Sequence, residues 1–226
     1  MRLGLPLSIA LIPLAGAMAL FAAFPGLDLA IARGFYELEG GSFAARFERP
    51  LILLRVVGYY LPTAVLALAV ILWLAGRARK NRVAILTGRR VLFLAASFAI
   101  GPGLLVNGVL KEVSHRPRPT QVVEFGGTNA FKPWYEFDGG CRRNCSFVSG
   151  ETAGATWLIA PASLLPPPWR VGAMMGAVIV TVAVALLRLA FGGHFASDAV
   201  GAMLVTLASI LAVGLTFAAK RRRSRL

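Results

Sequence analysis

Charge is scarce in this chain. Only 15% of its 226 residues are Asp, Glu, Lys or Arg, and just 10 of them are acidic. Histidine and cysteine each occur twice. So little charge beside 57% hydrophobic residues and a mean hydropathy of +0.70 excludes an ordinary soluble domain. The acidic residues form no recognisable metal cage, no metal-ligand cluster accompanies the cysteines, and no nucleotide-binding loop is present, so no metal or cofactor is implied. An aromatic-interleaved basic module is also missing. The net charge of +14 and pI near 11.3 therefore do not point to nucleic acid.

What the chain has instead is long apolar runs. Six candidate spans, at about 4–24, 51–75, 91–110, 149–165, 171–187 and 199–219, approach the roughly 20 residues needed to cross a bilayer. The expected fold is an all-α polytopic membrane helix bundle. Pro161 and Pro166-Pro167-Pro168 limit the fourth run, which is expected to be tilted, kinked or partly sunk in protein. The first run follows Arg2 and is longer than a usual signal-peptide core, so it is read as a span. The chain divides into an N-terminal span and outer loop (1–50), a membrane-embedded core (51–219) and a basic tail (220–226).

Orientation follows from the distribution of charge. With both termini cytoplasmic, the inner segments hold Arg2, the cluster Arg77, Arg79, Lys80, Arg82, Arg89 and Arg90, then Arg170, and the tail Lys220, Arg221, Arg222, Arg223 and Arg225, with no acidic residue among them. All 10 acidic residues fall in the outer segments and their flanks. This matches the positive-inside rule. The basic surplus reads as topology and attraction to anionic membrane lipids.

Three polar clusters interrupt the apolar pattern, and this topology puts all of them on the outer face. They are Lys111 with Arg118-Pro119, then Ser149-Gly150-Glu151, then Arg188 with His194 and Asp198. Cations at the ends of apolar spans are expensive unless paired, and a phosphate dianion is an economical partner for Lys111, Arg118 and Arg188. Interfacial snorkelling is the alternative, and it is the expectation for Arg116, Arg142 and Arg143. Ser149 and Gly150 at a helix start can aim backbone N–H groups at a phosphoryl group, and Ser149 can also be a simple N-cap. A neutral His194 can attack phosphorus while Asp198 holds the other imidazole nitrogen. In the outer loop, Cys141 and Cys145 can form a disulfide in an oxidising compartment or stand as free thiols.

Lys111 followed after six residues by Arg118-Pro119, the Ser149-Gly150 pair, and Arg188 spaced from His194 by five residues and His194 from Asp198 by three, resemble the signature motifs of the type 2 phosphatidic acid phosphatase and vanadium haloperoxidase superfamily. The resemblance covers roughly residues 50–219, and the motif set in this order is specific. It implies a metal-independent phosphatase of lipid phosphates working through a phosphohistidine, multi-pass in a bacterial inner membrane with a periplasmic active site. Vanadate should inhibit it as a phosphate mimic.

The chain departs from the family's pattern at two places. Val148-Ser149-Gly150-Glu151 stands where the family has Pro-Ser-Gly-His, and Leu187-Arg188 where it has Ser-Arg. In the family the missing histidine is thought to protonate the leaving oxygen. Either Glu151 takes that role with a raised pKa, or the step goes largely unassisted. The substrate expected from access at the interface is a lipid phosphate: lipid A or a related glycolipid phosphate, undecaprenyl diphosphate, phosphatidylglycerophosphate or phosphatidic acid. A phosphotransferase with the same intermediate, or a catalytically weak lipid-phosphate binding or transport protein, are the alternatives.

Overall fold

The computed structural model describes residues 4–37, 39–78 and 86–223, with side chains for 8–37, 39–78 and 86–219. Of the basic residues that set the expected orientation, Arg2, Arg79, Lys80, Arg82 and Arg225 lie outside the described residues, as do the side chains of Lys220, Arg221, Arg222 and Arg223. In chain order the helices are α1 (Gly4–Ala23), α2 (Gly26–Arg33), α3 (Arg49–Ala78), α4 (Gly88–Phe98), a π-helical stretch (Ala99–Leu110) that passes into α5 (Lys111–Val113), α6 (Gly150–Trp157), α7 (Ile159–Ser163), α8 (Pro167–Ala190) and α9 (Ala196–Arg223). No strand occurs among the described residues, and the protein is a membrane helix bundle.

Among the described residues, four helical segments are long and apolar enough to cross a membrane: Arg49–Ala78, Gly88–Val113, Pro167–Ala190 and Ala196–Ala219. The pair Ser8–Ala23 and Gly26–Arg33, bent by 98°, raises the number to five. Of the six runs read in the sequence, the fourth, expected to be tilted, kinked or partly sunk in protein, breaks at Leu158 into α6 and α7, each too short to span by itself. Pro161 lacks an N–H to give to the helical ladder, and this short pair is instead enclosed by its neighbours, with Ala153, Ala155, Trp157 and Ala160 fully buried. Leucines, valines and isoleucines stay exposed along α3 and α8, among them Leu53, Val57, Leu68, Ile71, Val178, Ile179 and Val182. Such continuous apolar helix surface is stable against lipid and not against water.

The centre of the bundle is small-residue packing around one large ring. Trp157 is fully buried, packs edge to face on Phe98 and donates its indole N–H to Ser97 Oγ at 2.9 Å. Gly101 allows the π-helical stretch to approach α9, since a Cβ there would lie 3.2 Å from Ser209 Cβ. Pro102 interrupts that stretch, and Asn107 Nδ2 donates to the Pro102 carbonyl at 2.7 Å. Wide turns of this kind recur at functional sites because they re-aim side chains. Here the next turn carries Lys111.

The start of α3, the C-terminal end of the π-helical stretch, the start of α6, the end of α8 and the start of α9 all meet at one end of the bundle. The loop between α5 and α6 covers this end. It is tied down by backbone hydrogen bonds from Cys145 to Lys111, Ser146 to Arg116 and Thr120 to Gly192, and by a disulfide between Cys141 and Cys145. α1 begins and α9 ends at the opposite end.

Candidate active site

At that end lies a cavity of about 440 Å³ lined by Arg55, Tyr59, Asn107, Lys111, Arg118, Asn144, Gly150, Glu151, Arg188 and His194. Lys111, Arg118, Gly150, Glu151, Arg188 and His194, which the sequence places in three separate clusters, are therefore brought together. Ser149 and Asp198 stand one layer behind. A second lobe of about 350 Å³ shares Arg55, Arg118 and Arg188 and continues past Arg46, Thr120, Phe191 and the Gly192-Gly193 pair.

His194 is fixed in one tautomer. Its Nδ1 lies 2.7 Å from the Ser146 carbonyl oxygen, which only accepts, so Nδ1 carries the proton and the Nε2 lone pair is free. Asp198 Oδ2 is farther from the same nitrogen, at 3.6 Å. Nδ1 thus faces two groups, the Ser146 carbonyl as the nearer partner and the Asp198 carboxylate, expected to hold the imidazole, as the second. Burial pushes the His194 pKa down to about 4, against the raising effect of Asp198, with the Arg188 and Arg118 charges adding to the fall. The ring is neutral at neutral pH.

Asp198 is held in a dry cluster that the sequence reading missed. Arg116 is fully buried and ion-paired through Nη1 to Asp198 and through Nη2 to Asp28. Its Nε donates to the Lys132 carbonyl, and its plane lies 4.6 Å from the Phe195 ring centroid. Asp28 also accepts from the Ser197 amide and hydroxyl, and Asp198 from the Ser146 hydroxyl and the Phe195 amide. The snorkelling expected of Arg116 is overturned: its guanidinium is fully buried, and its charge is met by two carboxylates, a carbonyl and a hydroxyl, as a buried charge must be. Arg142 and Arg143 are exposed. Residues 1–50 contribute Asp28 to this cluster. An aspartate inside an apolar run, Leu27-Asp28-Leu29-Ala30, was the available signal.

Ser149 is fully buried as the N-cap of α6, its Oγ accepting from the Thr152 amide at 3.3 Å. Its own amide donates to the Asp198 carbonyl, which ties the second motif to the third. That N–H is therefore spent, and the N–H groups free to face a ligand begin at Gly150. Gly150 lets the chain approach the cavity closely: a Cβ would lie 2.5 Å from Asn107 Oδ1 and 2.9 Å from Lys111 Nζ, so a larger residue would displace these two side-chain ends. At Gly193 a Cβ would lie 2.2 Å from Arg188 Nη2, so a side chain there would push the guanidinium out of place.

Glu151 sits between two guanidiniums. Arg55 Nη2 donates to its Oε1 at 2.7 Å, Arg55 Nε lies 3.1 Å from Oε2, and Arg188 Nη1 lies 3.4 Å from Oε1. Arg55 was not foreseen, although one cation near the start of an apolar helix is a recognisable signal. Arg188 is almost wholly buried, and its Nε has no hydrogen-bond partner in the protein. His115 lies away from the cavity, with Nδ1 against the Cys141 carbonyl. The whole arrangement suits an oxyanion of more than one charge, held by forked and point cations beside a free imidazole nitrogen.

Residues 90–222 match the family model described as the PAP2 superfamily. The chain is 34% identical over 181 residues to a lipid A 4'-phosphatase of Francisella tularensis subsp. novicida (strain U112), covering 80% of this chain and 81% of that protein. It is 34% identical over 213 residues to a lipid A 4'-phosphatase of Rhizobium leguminosarum, covering 87% of this chain and 91% of that one. Among solved structures, it shares its fold with a transmembrane PAP2-type phosphatidylglycerolphosphate phosphatase from Bacillus subtilis, at a TM-score of 0.58 and 21% identity over 96% of each chain. With the motif residues gathered around one cavity and relatives matched over most of their length, the chain belongs to the PAP2 superfamily.

Proposed function

We propose that the protein removes a phosphate from a membrane lipid, with lipid A or a related glycolipid phosphate as the preferred class, through a phosphohistidine at His194. The observation that carries this reading is the free Nε2 of a neutral His194 at the wall of a cavity shared with Lys111, Arg118 and Arg188. Two further observations support it: the relatives named above, and the unpartnered Nε of buried Arg188, which a phosphate oxygen would satisfy.

In the first step the Nε2 lone pair forms a bond to phosphorus as the bond from phosphorus to the lipid oxygen breaks. Lys111, Arg118, Arg188 and the amide of Gly150 stabilise charge on the phosphoryl oxygens. Asp198 and the Ser146 carbonyl stabilise the imidazolium that develops. In the second step water attacks phosphorus, the bond from phosphorus to Nε2 breaks, and phosphate leaves. Glu151, paired with two guanidiniums, enters as a carboxylate that positions Arg55 and Arg188, and the lipid oxygen takes its proton from water. A sugar 1-phosphate or a diphosphate leaving group would need less such help than the ester of an ordinary hydroxyl.

A periplasmic site is supported by the charge of the opposite end, where Arg77, Arg89, Arg90 and Arg170 flank the helices, as the positive-inside rule expects of a cytoplasmic end. Phosphate release by the purified protein in detergent with a chelator, over a panel of lipid phosphates, tests the proposal. Release that survives chelation, is blocked by vanadate and disappears in His194→Ala upholds it. No release from any lipid, with tight lipid-phosphate binding retained, would make the protein a binding or transport protein. Transfer of phosphate to an added acceptor would make it a phosphotransferase.

A further inference from the structure

We infer that the second lobe, past Arg46, is a subsite for a second phosphate-type anion, held at the same time as the phosphate beside His194. This rests on the lipid-phosphate reading of the main cavity. The lobe is lined by four arginines, Arg46, Arg55, Arg118 and Arg188, and by no carboxylate. Only Glu151 among the lining residues of either lobe is acidic.

Charge accounting makes the point quantitative. The two lobes together present five cations: Arg46, Arg55, Lys111, Arg118 and Arg188. Against them stand Glu151 and the single net negative charge of the buried cluster, in which Asp28 and Asp198 face Arg116. A phosphate dianion at His194 removes two more charges and still leaves the site positive. The surplus lies with Arg46, which is exposed, stacks only on its neighbour Phe47 and is not ion-paired among the described residues. At the level of a membrane interface such a surplus attracts a further anion.

The floor of the lobe is built for close approach. Gly192 adopts φ +59, and a Cβ there would lie 2.4 Å from the Phe43 ring, so no side chain is tolerated. With Gly193 beside it, the backbone and the Arg188 fork are left uncovered, and Thr120 adds a hydroxyl at the same wall. Ile52 and Phe191 give the lobe an apolar border. A phosphate joined to the reacting phosphate by a polar spacer fits this mixture, as does the phosphate of a neighbouring lipid headgroup.

The test compares two lipids that differ only in carrying one phosphate monoester or two, each in neutral detergent, with wild type and Arg46→Gln. A third arm adds an anionic phospholipid to the single-phosphate lipid. Wild type should favour the doubly phosphorylated lipid in kcat/KM by roughly tenfold, the worth of one charge-assisted contact, and Arg46→Gln should remove most of that ratio. If the added phospholipid raises turnover in an Arg46-dependent way, the second anion is a neighbouring headgroup. If it does not, the anion is on the substrate itself. Absence of both the preference and the phospholipid effect, or effects that Arg46→Gln leaves intact, overturns the subsite. Binding of the same lipids to His194→Ala, with and without R46Q, separates this from the hydrolase reading. An Arg46-dependent binding preference without wild-type turnover would refute hydrolysis and uphold the subsite.

Discussion

Arg116 and Arg118 stand two residues apart on the same loop and belong to opposite environments. Arg116 is sealed in a dry cluster where Asp28, Asp198, Ser146, Ser197 and two backbone amides satisfy one another. Arg118 faces an open cavity where cations outnumber carboxylates, and its guanidinium donates to the Asn144 carbonyl through Nη2 and is ion-paired to no carboxylate among the described residues. The first region has completed its hydrogen bonds within the protein. The second has left its charges for a ligand, so the same residue type serves the fold in one place and the chemistry in the other.

The sharpest way to break that comparison is at its boundary, His194. His194→Ala should lower phosphate release by about 10³-fold or more while leaving lipid binding, because the nucleophile is lost and the cations remain. Retained turnover would sink the phosphohistidine.

The two arginines should then separate cleanly. Arg116→Ala strands two buried carboxylates and should cost about 3–5 kcal/mol of stability, read as an early unfolding midpoint in detergent. Arg118→Ala should lower kcat/KM by about 10²-fold with the midpoint nearly unchanged. If both variants shifted the midpoint equally, the division into a dry and a ligand-facing side would be wrong.

Glu151 lies on the ligand-facing side but is paired like the other. Glu151→Gln should reduce kcat/KM by roughly tenfold, the cost of loosening Arg55 and Arg188. A loss of about 10³-fold with a displaced alkaline limb in the pH profile would make it the proton donor instead.

The smallest effect is a titration. The imidazole of His194 in the unliganded protein should stay neutral until the pH falls to about 4, as followed by NMR in detergent. Burial disfavours the charged form, so nucleophilic competence is present above that value and lost below it. Titration near the ordinary histidine pKa of about 6.5 would mean that the ring is not enclosed as described.

Much of the ligand-facing side was legible from residue order. Lys111, Arg118, Arg188 and His194 carry spacings that place each at the end of an apolar run, where a charge must have a purpose. The dry side was not legible. Arg116 resembles any interfacial arginine until Asp28, 88 residues away, is brought against it. Ser149 was legible as an N-cap and Asp198 as a partner of His194, but the buried Arg116 and Ser146 contacts that hold Asp198 come from a segment far along the chain and were not. The fourth apolar run was legible in composition and misleading in role, since length and hydropathy do not distinguish a crossing helix from a broken one enclosed by others.

The sequence by itself determined a helical membrane protein and the family to which it belongs, and it picked out several of the residues that line the cavity, because hydropathy and motif spacing are local properties of the chain. Only the tertiary structure decided which charges are paired and which are left open. Pairing depends on distances between segments far apart in the chain, and a cation's meaning is set by whether a carboxylate or a cavity lies within reach of it.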